Sequence, residues 1–187
     1  MKKIISVLFA LCMCMAANAQ SHMKFMGIPL NGTIETFAQK LKAKGITYDA
    51  VKSRAMGPGG KFYNGTFMGE KATFMVFFNA KSRIVFGVSV EMSYTSADLA
   101  FVPFKNIAEQ LLKKYPKAVL DGSKDSKGNI DGLEFHIPNE EETQRIGVII
   151  QTLNKSDDDL RDNCTISLMY TDVANFKKSE SINNEDL

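Results

Sequence analysis

Ile84-Val85-Phe86-Gly87-Val88-Ser89-Val90-Glu91-Met92-Ser93-Tyr94 alternates apolar and small or polar side chains along its length. In an extended chain successive side chains point to opposite faces. Ile84, Phe86, Val88, Val90, Met92 and Tyr94 therefore share one face, and Val85, Gly87, Ser89, Glu91 and Ser93 share the other. One buried face and one wet face is the habit of an antiparallel sheet. The same pattern returns near the C-terminus, where Cys164, Ile166, Leu168 and Tyr170 alternate with Thr165, Ser167, Met169 and Thr171.

Other strands fall around these two. Met23 to Leu30 reads as a first strand and Phe62 to Met68 as another. Ala72 to Phe78 is apolar on both faces and belongs centrally. Ala118 to Asp121 is short, Leu133-Glu134-Phe135-His136-Ile137 alternates, and Ile146 to Leu153 is apolar. Val51 to Met56 reads as a short strand in a weakly patterned connection. Gly57-Pro58-Gly59-Gly60 forces a loop, and the Gly/Ser/Asp/Asn-rich stretch from Asp121 to Gly132 reads as a turn region.

Two helices interrupt the strands. In the first, Thr33 caps, Ile34, Phe37, Ala38 and Leu41 form one stripe, and Gly45 stops it. The second runs from about Ser96 to Tyr115, with Phe101, Phe104, Ala108, Leu111, Leu112 and Tyr115 as its stripe. Pro103 is placed in its first turn and Pro116 ends it. Each helix is followed by three or four strands, and Phe37 to Lys44 aligns loosely with Ile107 to Lys114. The class expected is α+β, an antiparallel sheet with helices on one face. It divides into possible tandem halves over residues 23–95 and 96–174, within a single domain over 20–174. Residues 175–187 read as a polar, flexible tail.

The first nineteen residues stand apart. A basic start (Lys2, Lys3), an apolar run from Ile4 to Met15 and Ala17-Asn18-Ala19 make the order of a cleaved secretory signal, with the cut after Ala19. The apolar run is too short to span a bilayer. Cleavage removes two of the 23 basic residues and none of the 21 acidic ones, so the mature chain is balanced in charge. A balanced chain has no global pull on nucleic acid or on an anionic membrane, and neither is an expected partner. Cys12 and Cys14 also leave, so Cys164 has no internal disulfide partner. The expected location is periplasmic or secreted.

His22-Met23-Lys24-Phe25-Met26-Gly27-Ile28-Pro29-Leu30-Asn31-Gly32-Thr33, running into Phe37 and Lys40-Leu41, resembles the start of small exported proteins of Bacteroidota that open with a Lys-Phe-x-Gly-Ile-Pro strand. That resemblance implies export and a strand leading into a helix and further strands. It carries no site residue. The doubled helix-plus-sheet layout is also similar to the beta-lactamase inhibitor protein fold, at the level of architecture alone.

Chemistry-bearing residues are sparse. Cys164 lies in register with core residues, where a thiol is inert. His22 sits close to the new N-terminus and is expected to be mobile. His136 falls on the outer face beside Glu134, a surface His–carboxylate pair with no nucleophile in view. Asp157-Asp158-Asp159 and Asp162 lack the spacing of a calcium loop, and Gly57 to Lys61 lacks that of a phosphate loop. The lysines of the two helices (Lys40, Lys42, Lys44, Lys105, Lys113, Lys114) read as solvated surface. No catalytic residue, metal ligand or cofactor is assigned.

The reading that remains is an exported, non-catalytic binding protein. It would engage a protein or extracellular ligand through Ser89, Glu91, Glu134, His136, Ser167 and Met169 on the polar sheet face. The alternatives are a carrier of a small apolar ligand and an enzyme whose site follows no sequence motif. N-terminal sequencing of the protein exported by its native host is expected to begin at Gln20; a chain beginning at Met1 would remove the export reading.

Overall fold

The computed structural model describes residues 22–116, 119–124, 130–136, 144–153 and 163–184, with side chains over 22–96, 98–116 and 164–182. The signal expected at 1–19 and the acidic loop at 154–162 lie outside the described residues. The protein is α+β. An eight-stranded antiparallel sheet has the order β3-β4-β5-β6-β10-β9-β8-β7. Its strands are β3 (Thr47–Asp49), β4 (Gly60–Phe67), β5 (Glu70–Phe78), β6 (Val85–Tyr94), β7 (Val119–Lys124), β8 (Ile130–His136), β9 (Gln144–Leu153) and β10 (Asn163–Asp172). Two consecutive meanders, β3 to β6 and β7 to β10, meet where β6 pairs antiparallel with β10. Helix α1 (Ile34–Ala43) precedes the first meander and α3 (Ala97–Lys114) the second; α2 (Ala50–Met56) follows β3, and α4 (Val173–Asn184) follows β10.

The inner face of the sheet follows the alternation in the sequence. Val90 faces Leu168 and Phe74 across the ladder, Val88 faces Tyr170 and Val76, and Met92 faces Ile166. All of these are buried. Ile34, Phe37 and Leu41 of α1 and Ala100, Ile107 and Leu111 of α3 close the same core. Thr33 caps α1 by accepting the Thr36 N–H, and Ser96 caps α3 by accepting the Leu99 N–H.

Several elements differ from the expectation, each for a local or tertiary reason. The Met23 to Leu30 segment is a hairpin, β1 (Lys24–Phe25) and β2 (Ile28–Pro29), because Met26 (φ 48°) and Gly27 (φ 79°) form a tight left-handed turn. The hairpin buries Met23, Phe25, Ile28 and Leu30, and the Phe25 ring packs 5.0 Å from Tyr170 and 5.9 Å from both Phe67 and Phe74. Val51 to Met56 is helical, as α2, because the Asp49 carboxylate accepts the Val51 and Lys52 N–H groups and caps the turn. β7 and β8 extend into the stretch from Asp121 to Gly132 expected to turn; residues 125–129 between them lie outside the described residues.

The long alternating strand also contains a register shift. Phe77 pairs with Gly87 but Phe78 pairs with Val85, so Phe86 is the extra residue of a bulge. Val85 is consequently buried, while Phe86 stacks on Phe77 at 6.3 Å on the outer face and meets Phe176 of α4 at 5.5 Å. In α3 the buried line is Ala100, Ile107 and Leu111, with Phe104, Ala108 and Tyr115 half-buried. Phe101 and Leu112, expected inside, are 62% and 41% exposed because each sits one residue, about 100° of helix, beyond the line that meets the sheet.

Residues 175–187 were expected to be a tail, yet the chain remains helical to Asn184. Long-range polar contacts fix it. Buried Asp172 accepts the Asn175 N–H through Oδ1 (3.0 Å), and through Oδ2 it accepts the Met23 N–H (3.0 Å) and bonds His22 Nδ1 (2.9 Å). Asn175 Nδ2 donates to the Leu30 carbonyl, and Asn79 Nδ2 donates to the Ser179 hydroxyl. The same carboxylate thus starts α4 and clamps the N-terminal hairpin, and His22 is held rather than mobile. Asp172→Ala is expected to lower the free energy of unfolding in urea by about 3 kcal/mol, since it orphans the buried Met23 N–H and the part-buried Asn175 N–H and removes the bond to His22. His22→Ala, which leaves the Met23 and Asn175 bonds intact, is expected to cost less than half as much.

Candidate functional site

Residues directly opposite in a ladder share a sheet face, so the register alone places the six candidate residues. Thr73, Glu91 and Ser167 form one cross-strand row, which continues to Ile149 and Gly132. Met75, Ser89 and Met169 form the next, continuing through Gly147 to Glu134. Phe77, Gly87 and Thr171 form a third, which reaches Arg145 and His136. Ser89, Glu91, Ser167, Met169, Glu134 and His136 therefore lie on one face, although residues 89 and 169 belong to different meanders. At the usual strand spacing, β6 and β8 are about 14 Å apart.

Over the described side chains this face is partly wet. Glu91 and Ser93 are exposed, and Thr73, Met75, Ser89, Ser167, Met169 and Thr171 are half-buried. At one end the face is apolar: a Cβ on Gly87 would lie 2.9 Å from Met169 Cε and 3.3 Å from the Tyr170 carbonyl oxygen. Phe77, Phe86 and Phe176 wall that end.

A polar chain borders the other side and extends the candidate surface beyond what the sequence suggested. Lys52 Nζ donates to the Thr73 hydroxyl, the Thr73 hydroxyl donates to Asn64 Oδ1, and Asn64 Nδ2 donates to Asp49 Oδ2 at 3.0 Å. The Lys52 backbone N–H and the Asn64 amide hold the Asp49 carboxyl below the ordinary carboxylate range. The signal for this group was the Asp49 cap before Ala50-Val51-Lys52. Read as a strand, that stretch would send Asp49 and Lys52 to opposite faces.

Cys164 is buried, and burial pushes its thiol up. Among the described residues no group of three or more His, Cys, Asp or Glu side chains is placed to hold a metal ion, and no helix is long and apolar enough to cross a membrane. A small cleft of about 220 Å³ at His22, Asn79, Asn175 and Ser179 is occupied with the structural clamp of α4. A larger groove of about 640 Å³ opens on the other side of the sheet, between the ends of α1 and α3, and includes Phe67, Leu111 and Tyr170.

A scan against protein-family models finds no match, and searches of curated proteins and of solved structures find none.

Buried phenols give the fold a definite alkaline limit. Burial raises the Tyr63 and Tyr94 hydroxyls to about 12 and pushes Tyr170 up further. In an unfolded chain these groups ionise near 10. Below that pH their contribution is constant; above it, unfolding releases protons and stability falls until the folded-state values are reached. Melting temperature is expected to decline from about pH 10 upward. Among the described residues the buried Tyr94 hydroxyl has no hydrogen-bond partner. Tyr94→Phe should raise stability by about 1 kcal/mol at neutral pH and flatten the alkaline decline, both read by thermal melts across pH.

Proposed function

We propose that the protein is an exported, non-catalytic binding module that engages a protein partner through the face carrying Ser89, Glu91, Ser167 and Met169. The observation that carries this reading is the β6–β10 register. It brings residues from two meanders onto one continuous face, bordered by Lys52 and Thr73 on one side and by Phe77, Phe86 and Phe176 at one end. Among the described side chains, such a surface combines apolar groups, hydroxyls and the exposed Glu91 carboxylate on hydrogen-bonded strands. Rigid backbone reduces the ordering cost of association, which suits recognition of another folded surface. The layout similar to beta-lactamase inhibitor proteins favours a secreted enzyme among the partners. The secretory pattern of residues 1–19 supports an encounter outside the cytoplasm.

The test uses the mature chain, residues 20–187, immobilised beside a Glu91→Arg variant. Glu91 is exposed on the outer face, away from the core, so stability is expected to change by no more than about 0.5 kcal/mol. Envelope and culture-supernatant proteins of the native host and its neighbours are passed over both baits. A partner retained by the wild type, competed by free protein and lost from the variant is the expected result. Equal retention on both baits, or no retention by a folded wild type, overturns the sheet-face reading.

A further inference from the structure

Two hairpins of this protein turn on the same unusual dipeptide. β1 and β2 are joined by Met26-Gly27, and β4 and β5 by Met68-Gly69. Both methionines are left-handed (φ 48° and 52°), and both glycines follow at positive φ (79° and 89°). Two-residue turns of this kind favour Asn, Asp or Gly at the first position, because other side chains meet a steric cost there. The cost is borne twice, and both methionines reach the same place: they line the 640 Å³ groove on the core side of the sheet.

The groove has an amphipathic lining. Phe67, Leu111 and Tyr170, nearly buried, form its floor from three separate elements, and the accessible apolar lining above them is that of Met68, 42% exposed, and half-buried Met26. Among the described residues its polar lining is Lys44, Lys113, Lys114 and Gln110, with no carboxylate. Lys44 ends α1, and the other two lysines lie in the last turn of α3. Lysines at helix ends offset the helix dipole, but that alone does not bring two helix ends together over apolar surface. Lys114 Nζ lies 4.9 Å from the Tyr115 ring centroid, beside the groove. Methionine is the apolar side chain best able to reshape around a flexible ligand.

We propose that this groove binds a single-chain anionic amphiphile, with the alkyl chain between Met26, Met68, Phe67 and Leu111 and the anionic head at Lys44, Lys113 and Lys114. Among the described residues the charge at the rim is of one sign and the lining beneath is apolar, which complements such a molecule at both ends. The volume falls within the range of small-ligand sites. The groove lies on the opposite side of the sheet from Glu91 and Ser167, so this activity is independent of the sheet-face reading.

The mature protein is titrated with dodecanoate, dodecyl phosphate and dodecanol below their aggregation concentrations, by calorimetry and native mass spectrometry. One saturable site for dodecanoate or dodecyl phosphate is expected, and the tighter of the two identifies the head group as carboxylate or phosphate. Lys113→Glu/Lys114→Glu should weaken the anionic probes by at least about tenfold, a difference of 1.4 kcal/mol, and dodecanol much less. Met68→Asn separates turn from ligand: it supplies the residue the turn prefers, so melting temperature holds or rises while binding weakens. Glu91→Arg should bind dodecanoate as the wild type does. Absence of saturable binding of either anionic probe overturns the proposal. So does equal affinity for dodecanol, unchanged binding in the lysine or Met68 variants, or an equal loss in Glu91→Arg.

Discussion

The antiparallel pairing of β6 with β10 is the constraint on which the rest of this structure depends. It joins strands some eighty residues apart, from Gly87–Thr171 to Tyr94–Cys164, and makes one sheet of two meanders. Once paired, Val88, Val90 and Met92 continue into Tyr170, Leu168 and Ile166 as one apolar surface, and α1 and α3 share it. A side-chain period of two leaves no freedom: a slip of one residue would turn Leu168 and Ile166 to solvent and send Ser167 into the core.

That central pairing is finished by contacts from the two ends of the described chain. The β1–β2 hairpin inserts Phe25 among Phe67, Phe74 and Tyr170. Asp172, at the last residue of β10, accepts the hairpin's Met23 N–H and caps α4 with its other oxygen. A buried carboxylate is costly unless hydrogen-bonded, and here backbone donors and His22 satisfy it. The result ties the N-terminal hairpin, the central strand and the C-terminal helix to one side chain.

The two faces of the sheet then offer different surfaces. Ser89, Glu91, Ser167 and Met169 make a rigid, mixed face whose backbone is fully paired. The opposite side carries a groove in which helix ends and hairpin turns converge, and its mouth is lined by flexible methionines. Tyr170 and Met169, adjacent in the chain, serve the two sides separately because strand alternation points them apart.

Much of this was legible in the sequence because it depends on local period. The alternation of Val88 to Tyr94 and Cys164 to Tyr170, the capped stripe of Ile34 to Leu41, and the placement of Ser89, Glu91, Ser167 and Met169 on a polar face all follow from side-chain spacing. Tertiary structure decided the rest. Phe86 left the core because a bulge opposite Phe77 added a residue to β6, and Phe101 stayed outside because packing on β6 and β10 selected the rotation of α3. Residues 173–184 became a helix through the local Asp172 cap together with Asn79 and Leu30, neither of which is near in sequence to the residue it holds. Lys44, Lys113 and Lys114 read as ordinary solvated lysines until the fold brought two helix ends over Phe67 and Tyr170. Sequence period determined which way each strand faces, since that is a property of neighbouring residues; the partners across each face were set by burial and hydrogen bonding between segments far apart in the chain.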